Sequence, residues 1–336
     1  MKITMLGGIG CGKTTYLSTM LRLLYNGAVK GLTINTEDYK RAARLISTID
    51  QLSKGKFPMA TSQAGTEIGN VGENFDNLSF SLNKGESKLL DFDFMDYAGG
   101  LLSNIAKGED EDTNEQLIDK LLTSDVVLIF VDAIKLKECK SDIVARHYLD
   151  VDYINQIIQR AQQKAKEDNK EVKIIFAMTK CDASIILEND IPALKNKLIS
   201  VYSKLFSYSS YPIYAIETIG RGNVATTTSW KGKMLSTNNV IQNLDFKPKN
   251  IISILAEAFL LCLNNLEQEI QELSDTIQTM EQQLKGPRRL IDKAFNKGKL
   301  NNIYNNRKVE LNDKNLQLMN LQKSRTIMRS IIKESL

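Results

Sequence analysis

Eight residues near the start of the chain, Gly7-Gly8-Ile9-Gly10-Cys11-Gly12-Lys13-Thr14, have the types and spacing to hold a phosphate chain. They match G-x-x-x-x-G-K-[ST] in full. Glycine lets successive backbone N–H groups turn toward one anion with no Cβ between them. The candidate nucleotide-binding residues here are Gly8, Ile9, Gly10, Cys11, Gly12, Lys13, Thr14 and Thr15. A helix opening at Lys13 adds the partial positive charge of its N-terminus. The Lys13 ammonium would reach the outer phosphates, and the Thr14 hydroxyl would hold Mg²⁺. Cys11 sits inside the loop, where a helix N-terminus lowers a thiol pKa. Its plainer reading is a small residue that fits.

Three further sets could complete that chemistry. Phe94-Met95-Asp96-Tyr97-Ala98-Gly99-Gly100 ends a strand-like run. There Asp96 would hold the metal through water, and the Gly99 N–H would touch the last phosphate. Asp91 and Asp93, upstream, read as edge or wet-face residues. Thr61, in Phe57-Pro58-Met59-Ala60-Thr61, is a candidate hydroxyl for the metal and last phosphate, with Thr66 as the alternative. It opens a polar loop to Asn77 that is long enough to need a functional reason. The third set, Thr179-Lys180-Cys181-Asp182, can read a base. A carboxylate at Asp182 accepts from guanine N1–H and its exocyclic amine, and adenine would leave an acceptor facing an acceptor. Such mismatches discriminate by roughly a few kcal/mol. The Lys180 stem would lie over the purine, and the backbone near Glu217 and Thr218 would supply a second base contact.

The elements that must position these residues follow from hydrophobic pattern. Lys2 to Leu6 reads as a buried strand, and Leu17, Met20, Leu21 and Leu24 fall at helical spacing behind the glycine loop. A helix is expected over 37–52. Leu78 to Leu82 alternates strictly, as a strand with one wet face, and Lys84-Gly85-Glu86 is its turn. Lys88 to Asp96 is the next strand. Asp125 to Asp132 and Val172 to Met178 are near-continuous apolar runs, as in a parallel sheet buried on both faces. Helices are expected over 141–168, carrying the sole histidine, His147, as a surface or packing residue, and near 190–206. Tyr211 to Ile216 is the last strand. Strands alternating with helices predict a doubly wound α/β sheet. Residues 219–247, with the only Trp, Trp230, read as a long polar loop beside the base motif.

From Asn250 a helix begins and continues. Leu263, Leu266, Ile270, Leu273, Ile277, Met280 and Leu284 form an a/d seam, which Gly286-Pro287 breaks. A second periodic run carries Leu311, Leu318, Leu321, Met328 and Ile332. The first limb, 263–284, has five acidic residues and no Lys or Arg; the second is basic. Residues 285–336 carry thirteen Lys/Arg and four Asp/Glu, a balance of +9, so the net charge of +4 leaves −5 for the rest. Opposite charge on two limbs predicts an antiparallel helical hairpin. That pairing absorbs much of the basic excess and makes nucleic acid or anionic lipid the less favoured partner. The expected division is 1–262 for the α/β domain and 263–336 for a helical, coiled-coil extension. No apolar run approaches the ~20 residues of a membrane span. The four scattered cysteines and lone histidine form no zinc set. With a core strand at the N-terminus instead of a signal peptide, they predict a cytoplasmic protein.

The glycine loop, Asp96-x-x-Gly99 and Thr179-Lys180-x-Asp182, in this order, resemble a GTPase of the TRAFAC class. The resemblance covers about residues 1–265. It is closest to prokaryotic double-GTPase-like proteins, through Phe57-Pro58-Met59-Ala60-Thr61 and Pro248-Lys249-Asn250. It implies GTP and GDP as ligands, Mg²⁺ as cofactor and a switch function, with some relatives in bacterial conflict systems. Three departures stand out. Thr179 replaces the usual Asn, Glu217-Thr218 replaces a common Ser-Ala, and Gly100 replaces the water-orienting Gln of small GTPases. Two functions follow. One is a GTP-hydrolysing switch read out by a protein partner, or by self-association, through the C-terminal helices. The other is a GTP-binding scaffold with little hydrolysis. Arg221, or a residue of a docked partner, is a candidate to complete the site in trans.

Overall fold

A computed structural model describes residues 1–53, 75–97, 111–167, 170–232, 234–243, 245–284 and 299–333. Thr61, Thr66, Gly99, Gly100 and the bend at 285–298 lie outside the described residues, as does the side chain of Asp96.

In chain order the first half contains β1 (Lys2–Leu6), α1 (Lys13–Tyr25), β2 (Leu32–Asn35), α2 (Tyr39–Ser53), β3 (Phe75–Lys84), β4 (Ser87–Tyr97) and α3 (Glu111–Leu122). Then come β5 (Val126–Asp132), α4 (Ala133–Glu138), α5 (Asp142–Tyr148), α6 (Val151–Glu167), β6 (Ile174–Thr179), α7 (Ile191–Val201), α8 (Ser203–Phe206) and β7 (Ile213–Ala215). The seven strands form one sheet in the order β2-β3-β4-β1-β5-β6-β7. The run from β4 to β7 is parallel, and β3 and β2 add an antiparallel edge. The expected doubly wound α/β sheet is present.

Strand periodicity explains the near-continuous apolar run of β5. Val127, Ile129 and Val131 face one core, with Leu117, Leu121, Ile154 and Ile158 of the covering helices. Val126, Leu128 and Phe130 face the other, with Tyr16, Met20 and Leu24 of α1. Side chains alternate across a strand, so a strand covered on both faces must be apolar throughout.

Two expectations are corrected. The helix expected over 141–168 is two helices, because Leu149-Asp150 breaks it and Asp150 adopts φ 52°. The expected loop at 219–247 holds an antiparallel hairpin, β8 (Val224–Lys231) and β9 (Met234–Ile241). Its turn carries Gly232 at φ 61°.

The C-terminal part is an antiparallel pair of long helices, α9 (Ile251–Gln283) and α10 (Lys299–Lys333). The acidic limb meets the basic one as expected: Arg325 pairs with Glu267 at 2.8 Å, Lys314 with Glu269 at 2.6 Å and Lys308 with Glu281 at 3.1 Å. These contacts are partly exposed and each is worth about 0–1 kcal/mol; they set register more than stability. By length and composition α9 is apolar enough to cross a membrane, but its Ile251, Ile254, Leu255, Ala258 and Phe259 are buried in the core beside α1. Helix α10 returns to the same core with Met328 and Ile331, and the Ser324 hydroxyl donates to Leu89 O of β4 at 3.2 Å. Met328→Ala should therefore destabilise the protein by ~2–5 kcal/mol. Leu316→Ala, 62% exposed on the same helix, should change stability by no more than ~0.5 kcal/mol. Thermal melting of both variants checks the contrast; equal shifts would mean that α10 does not seal the core.

Candidate functional site

The carboxyl ends of β1, β5 and β6 converge on the glycine loop, where open α/β sheets bind ligands. Gly7 leaves β1 at φ 154°, and a Cβ there would lie 2.8 Å from Phe130 O. Gly10 and Gly12 take φ 70° and 96°, left-handed values that glycine permits. No side chain caps α1 at Gly12. A helix N-terminus of this kind carries partial positive charge that favours an anion. The buried Lys13 ammonium donates to Gly7 O at 2.8 Å. Cys11 is buried beneath the loop.

The base motif is tied to this loop directly. The Thr179 hydroxyl donates to Cys11 O at 2.6 Å, with Val131 O at 3.2 Å. Lys180 adopts φ 59°, and its ammonium donates to Asp132 Oδ2 at 2.5 Å. The other oxygen of Asp132 caps α4, accepting from Ile134 N and Lys135 N at 2.9 and 3.2 Å. Burial pushes the Asp132 carboxyl up, but the Lys180 and Lys135 charges and these bonds outweigh it and hold it below the usual range. Asp182 is also buried, and its Oδ2 accepts from Ile219 N at 2.8 Å and Gly220 N at 3.1 Å. Burial raises its carboxyl above the usual range against the pull of those two donors.

One cleft of about 200 Å³ joins the two ends. Gly8, Gly10, Cys11, Gly12, Lys13, Thr14 and Thr15 line its phosphate end. Thr179, Lys180, Asp182, Ala183, Thr218 and Ile219 line the other, and Ile134, Val224 and Asn239 complete it. Ile9 and Glu217 do not line it. The Glu217 carboxylate instead clamps Arg221, with Oε1 accepting from Nη2 at 2.7 Å and Nε at 3.1 Å. Arg221 Nη1 donates to Ile186 O at 2.6 Å. Arg221 is thus bonded within its own chain to Glu217 and Ile186. At the flank of the loop the Asp150 carboxylate abuts Gly8, so a side chain there would have to displace it. Burial raises that carboxyl, and Lys135, His147 and Lys13 partly offset the rise.

Asp132, Asp150 and Asn239 are the residues that sequence reasoning missed. Asp132 stood at the end of a predicted strand, but its partner Lys180 lies on the neighbouring strand end, 48 residues away. Asp150 is masked by helical pattern on both sides, with no Gly or Pro to mark the break.

A glycine loop, a buried carboxylate and one cleft between them on a doubly wound sheet have the form of a nucleotide-binding domain. Residues 2–216 match the family described as Double-GTPase 2. The chain belongs to that family. The Double-GTPase 2 match runs from β1 through β7 and so includes the glycine loop, Asp96 and Thr179-Lys180-Cys181-Asp182. It ends before the loop that holds Asp182 Oδ2, the β8–β9 hairpin and the two long helices. No curated protein matches the chain. The Double-GTPase 2 name implies guanine nucleotide binding and GTP hydrolysis.

Proposed function

We propose that the protein is a Mg²⁺-dependent GTP switch with slow intrinsic hydrolysis, read out through its C-terminal helices. The observation that carries the reading is the single cleft with Lys13 at one end and buried, backbone-held Asp182 at the other. The residues present fit a guanine nucleotide: an uncapped helix start and an ammonium for phosphate, and a carboxylate acceptor for the guanine donor edge. Thr14 lines the phosphate end and would hold the metal with Asp96 and Thr61; bound Mg²⁺ would neutralise phosphate charge. Gly99 would donate its N–H to the terminal phosphate.

Coupling has a physical route. Helix α10 packs on β4 through Ser324 and Met328, and β4 runs to Asp96 and Tyr97 at the phosphate end. A nucleotide-dependent shift at that end would move the strand that the hairpin sits on, and a protein partner or second copy would read it. The resemblance to double-GTPase-like proteins of conflict systems supports a defence setting, and four free cysteines suit the cytoplasm.

Gly100 supports the slow rate, because no side chain at that position can orient water. Turnover by the purified protein should fall at about 10⁻⁴ to 10⁻² s⁻¹, the range of small GTPases without outside help. Calorimetric titration with GTP and ATP, followed by phosphate release with Mg²⁺ or EDTA, tests the reading. Equal affinity for ATP, or Mg²⁺-independent turnover, would overturn it. Tight GTP binding with no turnover at any protein concentration would favour the scaffold reading, which Gly100 also supports.

A further inference from the structure

We infer that the β8–β9 hairpin is a wall of the nucleotide cleft and that the Asn239 carboxamide contacts the nucleoside part of the bound nucleotide. The inference rests on the guanine-nucleotide reading above and deepens it.

The hairpin is fixed to the base motif at its root. Ser184 N, two residues past Asp182, donates to Val224 O at 3.0 Å, and Thr226 N donates to Ser184 Oγ at 2.8 Å. The register sets Thr226 opposite Asn239. Thr226 is buried, and its hydroxyl donates to Asn239 Oδ1 at 2.8 Å. That bond orients the amide, with its oxygen on the neighbouring strand and its NH₂ donors left for another acceptor. Asn239 lines the same cleft as Lys13 and Asp182.

At the tip of the hairpin Trp230 lies edge-on to Tyr148, with ring centroids 5.6 Å apart. Tyr148 closes α5 two residues before Asp150, which abuts Gly8 of the phosphate loop. The hairpin is therefore anchored at both ends, at the base motif and at the flank of the glycine loop. Between a base-reading carboxylate and a phosphate loop lies the nucleoside, whose sugar and base edges carry acceptors. An NH₂ donor held at that place suits them. Because it would contact no terminal phosphate, it serves GTP and GDP alike.

The test is calorimetric titration of full-length Asn239→Ala and Thr226→Val with GDP and with a non-hydrolysable GTP analogue. Loss of one neutral hydrogen bond in a desolvated site should weaken both ligands about three- to twentyfold by the same factor. The ratio of GTP to GDP affinity should stay at its wild-type value. Thermal melting without nucleotide checks folding. Should Asn239→Ala fail to fold, Thr226→Val, which removes only the hydroxyl that aims the amide, carries the test. Repeating the titration with 2′-deoxy-GTP and 7-deaza-GTP locates the acceptor on the sugar or the base, and either result supports the inference. Affinities within twofold of wild type in both variants would overturn it while leaving the site reading intact. A loss confined to the GTP analogue would also overturn it, since that would place Asn239 at the terminal phosphate. If the wild-type protein binds no guanine nucleotide, the site reading fails and the inference with it.

Discussion

Lys13→Ala should weaken guanine nucleotide binding by two orders of magnitude or more, with little change in the folded structure. The ammonium is buried and donates to the carbonyl of Gly7 at 2.8 Å. It is thus already desolvated and poised beside the loop that would hold phosphate. Hydrogen bonds to a charged group are worth about 1.5–3 kcal/mol each. Two such bonds, to the outer two phosphates, give ~3–6 kcal/mol, and each 1.4 kcal/mol is a factor of ten. Alanine is a good helix former, so α1 would keep its first turn. Binding of a non-hydrolysable GTP analogue to purified Lys13→Ala, measured by calorimetry against wild type, checks this. Retained affinity would mean that the cleft takes its ligand in another way and that the glycine loop is structural.

What was legible in the sequence was what local pattern encodes. The glycine loop was legible because each glycine answers a backbone need, as Gly10 and Gly12 do at φ 70° and 96°. The paired helices were legible because charge and heptad spacing both persist along two limbs, and Glu267 and Arg325 indeed meet. The β8–β9 hairpin was not, because strand pattern rests on an apolar face and this hairpin has a polar one. Thr226-Thr227-Thr228-Ser229 offers no alternation of apolar and polar, and Thr228 sits opposite Thr237. The break at Asp150 went unseen because an Asp can enter the left-handed region without a glycine. Asn239 lay furthest from reach: its place beside Asp182, 57 positions earlier, depends on hairpin register and on the Ser184 bonds to β8.

Asp182→Asn should move base preference from guanine toward xanthine, and the geometry says why an amide cannot rescue guanine by flipping. In the wild type Oδ2 accepts from Ile219 N and Gly220 N, at 2.8 and 3.1 Å. An Asn must keep its oxygen on those two buried donors, because turning the NH₂ toward them would set donor against donor. Its NH₂ then faces the base. Guanine presents donors there, so one charge-assisted bond is lost and a like pair is created. Together these cost about 3–5 kcal/mol, or roughly two to three orders of magnitude in GTP affinity. Xanthine carries a carbonyl in place of the exocyclic amine and accepts from the new NH₂. Competition of GTP, ATP and XTP for a fluorescent nucleotide on both proteins measures the exchange; unchanged order would mean that the base is read elsewhere. The same carboxyl predicts a pH dependence. Burial raises its pKa in the folded, empty protein. Its contribution to stability is therefore full below the unfolded pKa and is lost as pH rises through the folded one. Guanine donors favour the anion, so GTP should raise the melting temperature more in neutral than in mildly acidic buffer. With Asp182→Asn that difference should shrink, since the group that titrates is gone. A wild-type ligand shift that is equal at both pH values would show that Asp182 does not meet the base as an anion.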